Sequence, residues 1–306
     1  MTKPAIAIGP FHRESTVRAV RAAGGEVVPT DEHAGALVWL EPADVDGLRA
    51  ALAAAPAARW VQLPFAGIEP MAAAGLLDPD RTWTCAKGAY AEPVAEHALM
   101  LALAGLRFLP ERVTARSWGK AAGESLYDQP VTILGGGGIA ASLISLLTPM
   151  RARVTVIRRQ PGEVPGAVTT LPTSRLHEAL PDALVVFVAL ALTPATTHII
   201  GAPELAAMRR DAWLVNVARG PHVDTGALVE ALRGQVIGGA ALDVTDPEPL
   251  PDGHPLWALD NCIITPHTAD TAEMVERMLN RRIEHNVAAF AAGRPLAGLV
   301  DPAAGY

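Results

Sequence analysis

The side chains of three residues could together bind a substrate and exchange a proton with it: Arg219, Glu248 and His267. The guanidinium group of an arginine is a planar fork of donors that matches a carboxylate, and a histidine gives or takes a proton near neutral pH. A carboxylate next to a histidine favours its charged, proton-donating form. Together the three side chains predict a site that binds an acidic substrate and exchanges a proton with it.

Each of the three side chains follows a short apolar run that predicts a buried strand. The runs cover residues 214–217, 239–244 and 262–265. Because ligands of open parallel sheets bind beyond the carboxyl ends of the strands, we expect the three side chains to face one crevice. Taken singly, an arginine or glutamate in a loop is usually only solvated, and a histidine after a proline is usually a turn residue. Their coincidence at three strand ends favours the chemical interpretation.

Strand and helix signals alternate through the first third of the sequence. Helices are predicted at residues 15–23 and 45–55, the second with Asp44 as its N-cap. This alternation indicates a parallel sheet covered by helices, that is, a doubly wound α/β domain. The predicted strands are residues 5–8, 26–28, 36–39, 60–63 and 82–85.

The alternation repeats from residue 129 onward, after an apolar helix predicted at residues 94–109 with Pro93 at its first position. A second helix is predicted at residues 139–148. Together with the three runs described above, the further strands bring this half of the chain to six, the number in a dinucleotide-binding sheet. These further strands are residues 131–134, 154–157 and 184–189.

A glycine-rich segment between the first strand and the first helix of this half fits a dinucleotide-binding loop. Gly135, Gly137 and Ala140 fall on the pattern G-x-G-x-x-G/A. Glycines permit a tight turn and a close approach of the backbone to a pyrophosphate, and the helix start at Gly138 and Ile139 supplies amide donors. A run of glycines alone is often an ordinary turn, but the strand–loop–helix context predicts cofactor binding.

The end of the next strand departs from the pattern for NAD. Where an acidic side chain would bind the ribose 2′-hydroxyl, this chain has Arg158 followed by Arg159. A carboxylate there would repel a 2′-phosphate, whereas arginines bind one. The sequence therefore predicts NADP(H) as the favoured cofactor. The alternative is that both arginines are surface residues and that other contacts bind NAD(H).

Four motifs lie close together in the last hundred residues. They are NVARGPHVDTGAL (216–228), GGAALDVTDPEPL (238–250), HPLW (254–257) and ITPH (264–267). In combination they resemble the D-isomer-specific 2-hydroxyacid dehydrogenase family, and the resemblance extends over essentially the whole chain. It implies an α/β protein of two doubly wound domains, in which a Rossmann cofactor domain is inserted into a flavodoxin-like substrate domain. The implied domains are residues 93–270 for the cofactor, and residues 1–92 with 271–306 for the substrate.

The resemblance also implies roles in the reduction of a small 2-oxo acid to a D-2-hydroxy acid. Arg219 would bind the carboxylate and polarise the carbonyl group, while His267 would donate the proton and Glu248 would orient it. In the first domain, the backbone amides of a loop after the fourth strand would bind the carboxylate, although its glycine is equally well a turn residue. The substrate-binding residues implied are Phe65, Ala66, Gly67, Ile68 and Tyr90.

Further residues are implied to contact the cofactor. Leu192, Thr193 and Pro194 resemble the family's segment that crosses over it, and Ala218 would lie near the nicotinamide. Asp243 resembles a family aspartate close to the nicotinamide, with a loop-capping aspartate as the alternative.

Composition argues against several other classes of protein. The formal net charge is −7 and no basic block is present, so the sequence offers nothing for a nucleic-acid partner. Cys85 and Cys262 are far apart and lack metal-site spacing, so no metal is expected. The apolar run at residues 183–192 is too short to span a bilayer, and the sequence begins without signal-peptide character. We therefore expect a cytoplasmic protein without a membrane partner.

The sequence also bears on the subfamily and on the oligomeric state. His267 is followed by Thr268, Ala269 and Asp270 in place of the family's common Gly-Ser pair. Chain length and the arginine pair look most like glyoxylate/hydroxypyruvate reductases. A homodimer is expected by resemblance, through residues 107–127 and Trp118. The alternatives are a dinucleotide-sensing, corepressor-like module of the same fold, or a dehydrogenase of formate or phosphonate.

Overall fold

A computed structural model describes residues 3–160 and 162–302, apart from the side chain of Glu69. The chain divides into two compact units. The first consists of Met1–Tyr90 and Thr271–Tyr306, and the second consists of Ala91–Asp270. The second unit is thus inserted in the sequence of the first.

The first unit contains a five-stranded parallel sheet in the order β2-β1-β3-β4-β5, which is the flavodoxin-like order. All five predicted strands are present, and Asp44 caps the second helix by accepting a hydrogen bond from the amide of Gly47 at 2.8 Å. The strands are β1 (Ala5–Gly9), β2 (Glu26–Val28), β3 (Ala36–Trp39), β4 (Trp60–Gln62) and β5 (Thr82–Thr84). The helices between them are α1 (Glu14–Ala22), α2 (Val45–Ala54) and α3 (Glu69–Ala73).

The second unit contains a seven-stranded parallel sheet with helices between its strands. The helices are α4 (Ala91–Leu106), α5 (Leu109–Thr114), α6 (Gly138–Leu147), α7 (Leu176–Ala179), α8 (Ala202–Ala207) and α9 (Thr225–Arg233). The strands are β6 (Pro130–Leu134), β7 (Arg153–Arg158), β8 (Thr169–Pro172), β9 (Val185–Val188), β10 (Trp213–Asn216), β11 (Gly239–Leu242) and β12 (Cys262–Ile264).

The strand order in the second sheet is β12-β11-β10-β9-β6-β7-β8, so the direction of winding reverses between β6 and β9. This is the Rossmann order with one strand added at the β12 edge, and the reversal is the point at which such sheets bind ligands. The predicted count of six strands was wrong because it missed β8. That strand is a short edge strand, half of it threonine, with no fully buried residue, so it lacks the apolar run that predicts a strand.

Both ends of α4 differ from the prediction by more than one residue. α4 begins at Ala91, so Pro93 lies inside its first turn, where a missing amide hydrogen costs no helical bond. It ends at Leu106 and not at residue 109, because Phe108 adopts φ 51° and breaks the helix before α5. α4 packs against β10, β11 and α6, so most of its apolar side chains are buried within the second unit.

The last helix, α10 (Ala272–Ala291), returns the chain to the first unit. It packs beside α1, and the ring of Phe290 lies 5.3 Å from that of Trp60 in β4. Asn286, fully buried, donates to Gln62 Oε1 at 2.9 Å and exchanges two hydrogen bonds with the backbone of Ala297. The first unit is therefore built from both ends of the chain.

Candidate active site

The loop after β10 carries Arg219 and is shaped by hydrogen bonds to the strand. Asn216, the last strand residue, donates from Nδ2 to the carbonyl oxygen of Arg219 at 2.9 Å. The guanidinium group of Arg219 donates from Nη1 to the carbonyl oxygen of Ala218 at 2.7 Å. A Cβ on Gly220 would overlap the carbonyl group of Thr245, so glycine is required for this close approach. The loops after β10 and β11 therefore lie against each other.

Glu248 and His267 form a hydrogen-bonded pair. Nδ1 of His267 lies 2.6 Å from Oε1 of Glu248, and both side chains are partly exposed. Because a carboxylate only accepts hydrogen bonds, Nδ1 carries the hydrogen, and Nε2 is the ring nitrogen left to exchange a proton with a substrate. His267 has φ 49°, in the left-handed region that residues other than glycine seldom adopt. Other interactions must therefore stabilise the turn that carries it.

Asp243, the residue after β11, binds that turn. Its side chain is 1% exposed; Oδ1 accepts from the amide of Thr268 at 2.9 Å and Oδ2 accepts from that of Ala269 at 3.1 Å. Its backbone carbonyl accepts from the amide of His267 at 2.8 Å. Burial raises the pKa of Asp243, but hydrogen bonds from neighbouring side chains and from the two amides outweigh burial and lower it to about 2. The turn is thus bound to an ionised carboxylate.

Asp270 follows the turn of His267 and is partly buried. Burial raises the pKa of its carboxyl group; His267 and Arg219 oppose that rise, and Asp243 adds to it. The loops that carry Arg219, Glu248 and His267 follow the neighbouring parallel strands β10, β11 and β12, so they lie at one edge of the sheet.

The glycine-rich loop follows β6 at the point where the sheet reverses direction. Gly135 has φ 118°, and a Cβ there would overlap the carbonyl group of Ala189 after β9. Both the backbone conformation and the close contact therefore require glycine. Gly137 caps α6 and faces open space, with no atom within 4 Å of a Cβ placed on it. Gly138 and Ile139 form the first turn of α6, which contains no acidic residue. Open space in front of uncapped helix amides fits the pyrophosphate of a dinucleotide.

Arg158, at the end of β7, lies beside this loop. A Cβ on Gly136 would be 3.2 Å from Cδ of Arg158, so the arginine side chain passes next to the glycines. Arg159 follows it and is exposed. Cationic side chains are thus present where a dinucleotide's ribose is bound in Rossmann sheets.

The segment after β9 is held to the loop after β10. Thr193 begins a tight turn, in which its amide donates to Oγ1 of Thr196 at 2.8 Å, and Leu192 and Pro194 flank it. His222, fully buried, places Nδ1 3.0 Å from the carbonyl oxygen of Arg219 and Nε2 3.3 Å from that of Ala191. Ala218 is buried next to Arg219. His222 was not predicted as a site residue, although it lies inside the motif that identified Arg219.

The loop after β4 is described within the first unit. Phe65 and Tyr90 meet edge to face with ring centroids 6.1 Å apart, and the Tyr90 hydroxyl donates to the carbonyl oxygen of Pro64 at 2.5 Å. The side chain of Ile68 is buried in the hydrophobic core, so only its backbone is available to a ligand. Ala66 and Gly67 lie between them, with Ala66 exposed. Tyr90 is also buried, so its position favours support of this loop over contact with an open pocket.

Two kinds of feature are absent from the described part of the chain. Among residues 3–160 and 162–302, no group of three or more His, Cys, Asp or Glu side chains is arranged to hold a metal ion. None of the helices described there combines the length and the apolar character needed to cross a membrane.

A Rossmann sheet with a glycine-rich loop at its reversal point and an Arg, Glu and His set at its strand ends defines a nicotinamide-dinucleotide-dependent oxidoreductase. Residues 97–269, more than half of the chain, match the family model for "D-isomer specific 2-hydroxyacid dehydrogenase, NAD binding domain". The chain belongs to the D-isomer specific 2-hydroxyacid dehydrogenase family.

Relatives of known name or structure agree with this assignment. Glyoxylate reductase of Aeropyrum pernix is 32% identical over 226 residues, which are 70% of this chain and 68% of that protein. A family member from Xanthobacter autotrophicus Py2, solved with NADPH and MES, superposes with a TM-score of 0.85 at 29% identity and 100% coverage of both chains. The NADPH-dependent glyoxylate/hydroxypyruvate reductase of Sinorhizobium meliloti, solved with NADP and sulfate, gives 0.80 at 26% identity and 100% coverage of both.

Proposed function

We propose that the protein reduces a small 2-oxo acid to the D-2-hydroxy acid with NADPH, in the manner of a glyoxylate/hydroxypyruvate reductase. The observation that carries the proposal is the 2.6 Å contact between His267 Nδ1 and Glu248 Oε1, on loops that meet the loop of Arg219. A reduced nicotinamide bound at the glycine-rich loop would supply the hydride. One oxo acid, one NADPH and one proton then give one hydroxy acid and NADP⁺.

The roles of the three side chains follow from their chemistry. Arg219 binds the substrate carboxylate and withdraws electron density from the neighbouring carbonyl group. His267 donates a proton from Nε2 to the carbonyl oxygen as that oxygen becomes negative. Glu248 fixes the orientation of the ring through Nδ1 and stabilises the imidazolium form before transfer. For the first unit, we assign the amides of Ala66 and Gly67 to the substrate carboxylate, with the loop supported by Tyr90 and Phe65.

The test of this assignment is steady-state kinetics on glyoxylate, hydroxypyruvate, pyruvate and bulkier 2-oxo acids. We expect His267→Ala and Arg219→Ala to lower kcat/KM by roughly 10³-fold or more, with the Kd for NADPH almost unchanged. Exposed His285→Ala is the control and should behave as wild type. Near-normal turnover by either active-site variant would refute the roles. A wild-type protein that binds NADPH but reduces no oxo acid would point to a sensing module, and oxidation of formate or phosphonate would point to another dehydrogenase.

The preference for NADP(H) is proposed from Arg158 and Arg159. The side chain of Arg158 beside Gly136 supports it, as do two relatives solved with the phosphorylated dinucleotide. We expect kcat/KM to be higher with NADPH than with NADH. The double variant Arg158→Ser/Arg159→Ser should lose most of that ratio by raising KM for NADPH alone. A clear advantage for NADH in the wild-type protein would contradict the proposal.

A homodimer is proposed from the exposed apolar residues of the segment after α4. Trp118 is fully exposed, and Leu109, Val113 and Tyr127 are each about half exposed or more. Apolar area of this kind commonly marks a protein interface, and we assign it to a second copy of the chain. Sedimentation equilibrium should give twice the monomer mass, and Val113→Glu/Trp118→Ser should give the monomer mass. A monomeric wild-type protein at micromolar concentration would overturn this.

A further inference from the structure

His97 is a polar residue on the buried, otherwise apolar face of α4. The buried residues of α4 are apolar, whereas His97 is only 13% exposed at its side chain. Its Nε2 lies 3.0 Å from Oγ1 of Thr265 and 3.2 Å from Oδ1 of Asp243. Thr265 directly follows β12 and lies two residues before His267. The imidazole therefore reaches from α4 to the base of the strand ends that carry the proton donor.

The hydrogen atoms in this cluster can be assigned from the acceptors. Oγ1 of Thr265 lies 2.6 Å from Oδ1 of Asp243 and donates its one proton there, because the carboxylate is ionised. Thr265 can then only accept from His97, so Nε2 of His97 carries a hydrogen. That hydrogen is within reach of both Oγ1 of Thr265 and Oδ1 of Asp243. The hydrogen bonds among His97, Thr265 and Asp243 thus have one arrangement of donors and acceptors.

The cluster is joined to the His267 turn at successive residues. Thr265 is bound through its hydroxyl, and His267, Thr268 and Ala269 are bound through their amides, all to Asp243. These bonds oppose the conformational cost of φ 49° at His267. Within this network, His97 comes from α4, while the other members lie on the loops after β11 and β12. It ties the turn to a helix that packs on β10 and β11.

We propose that His97 is a positioning residue for the proton donor: by holding the Thr265 hydroxyl and the Asp243 carboxylate, it fixes the turn that aims His267 at Glu248. This inference rests on the proposed function for its consequence in catalysis. A displacement of about 1 Å in a reacting group can cost on the order of 100-fold in rate. His97 would therefore affect proton transfer and leave dinucleotide binding unchanged.

The variants His97→Phe and His97→Gln separate positioning from packing. Phenylalanine keeps a ring but has no donor. Glutamine places an amide Nε2 at the same number of bonds from Cβ as the imidazole Nε2, so it keeps the donor without the ring. Glu96→Gln, on the exposed neighbour in α4, is the matched control.

We expect His97→Phe to lower kcat about 10- to 100-fold, with the Kd for NADPH within about twofold. The primary deuterium isotope effect on kcat with 4-deuterated NADPH should rise, since the chemical step becomes slower. His97→Gln should stay within about threefold of wild type, and Glu96→Gln should match it. A His97→Phe enzyme with kcat within twofold of wild type, or a Gln variant as slow as the Phe variant, would overturn the proposal. So would a loss confined to NADPH affinity.

A readout without turnover separates this inference from the proposed activity. Amide hydrogen exchange of the segment 265–270 should be faster in His97→Phe than in wild type and unchanged in His97→Gln. Segments of β7 and α6 should exchange as in wild type. If the wild-type protein reduces no oxo acid, the proposed function fails and this exchange experiment still decides whether His97 fixes the turn. Equal exchange of the segment in wild type and His97→Phe would refute the positioning role.

Discussion

Asp270 is a carboxylic acid three residues after His267, the proposed proton donor. Its carboxyl group is partly buried. Burial raises its pKa above the ordinary value for an aspartate, although His267 and Arg219 oppose the rise. The ionised form is thus less stable in the folded protein than in the unfolded chain. At neutral pH this residue is expected to reduce the free energy of unfolding.

The sign of that effect predicts how stability depends on pH. Asp270→Asn removes the ionised form, so it should raise the urea midpoint at pH 7. As the pH falls through the raised pKa of Asp270, the wild-type carboxyl group becomes neutral and the difference between the two proteins should shrink. Urea unfolding at pH 7, 5.5 and 4 measures this. An advantage of Asp270→Asn that grows toward acid pH would show that the pKa is shifted in the opposite direction.

Single residues differ in how visible they were in the sequence. The places of Arg219, Glu248 and His267 after buried strands could be predicted, because each residue follows an apolar run and parallel strands end on one edge of a sheet. His97 gave only the weak signal of one imidazole among apolar residues, since its partners lie 146 and 168 positions away. Contacts across such separations depend on packing that no local pattern encodes.

At the scale of elements, the junction of β6 and α6 contains two glycines that are present for different reasons. Gly135 is needed by the fold, because its φ of 118° and the carbonyl group of Ala189 both exclude a Cβ. Gly137 has open space around it and φ −90°, which other residues adopt freely. The space at Gly137 is where we propose that the pyrophosphate binds. A methyl group there would therefore meet the cofactor and no protein atom.

Substituting the two glycines should give opposite results. Gly135→Ala should lower the free energy of unfolding by about 2 kcal/mol or more, because a left-handed conformation and a backbone overlap both oppose it. Gly137→Ala should lower the free energy of unfolding by only about 1 kcal/mol or less, the cost of alanine at a helix N-cap, yet bind NADPH at least about tenfold more weakly, as expected for a lost close approach of backbone to phosphate. Fluorescence titration with NADPH and urea unfolding test the pair. Wild-type affinity in Gly137→Ala would remove the pyrophosphate from this position.

Element prediction was best where burial is complete. β9, β10 and β11 are wholly buried four-residue strands and were predicted as apolar runs. β8 was missed because it is a partly exposed edge strand, and the end of α4 was misplaced because the apolar sequence continues past the left-handed Phe108. Apolar character locates the centre of a sheet and leaves its edges and helix ends undetermined.

At the scale of the whole molecule, the two ends of the chain cooperate in one hydrophobic unit. Asn286 of α10 is fully buried and bonded to Gln62 of β4, and Gln62 also accepts from Thr84 of β5 at 2.9 Å. Thr84 in turn accepts from the indole nitrogen of Trp60 at 2.8 Å. This polar network joins β4, β5 and α10. Its hydrogen bonds satisfy buried polar groups that water cannot reach.

Asn286→Ala should destabilise the first unit without affecting the chemistry of the second. The substitution leaves the amide and carbonyl groups of Ala297 unpaired, which should cost about 2–4 kcal/mol. Urea unfolding followed by tryptophan fluorescence reports it, because Trp39, Trp60 and Trp83 are buried in this unit. Exposed His285→Ala on the same helix is the control. A midpoint shared by both variants would mean that the network contributes nothing.

The insertion of one unit into the sequence of the other has a consequence during synthesis. A ribosome releases the chain from its N-terminus at roughly 5–20 residues per second, so all of residues 91–270 emerge before α10 does. Until then the faces of β4 and α1 that α10 covers have no partner, while the later-made unit already has its whole sequence available. The nascent protein should therefore acquire protease resistance first in its middle, and the earliest residues made should be among the last to gain it.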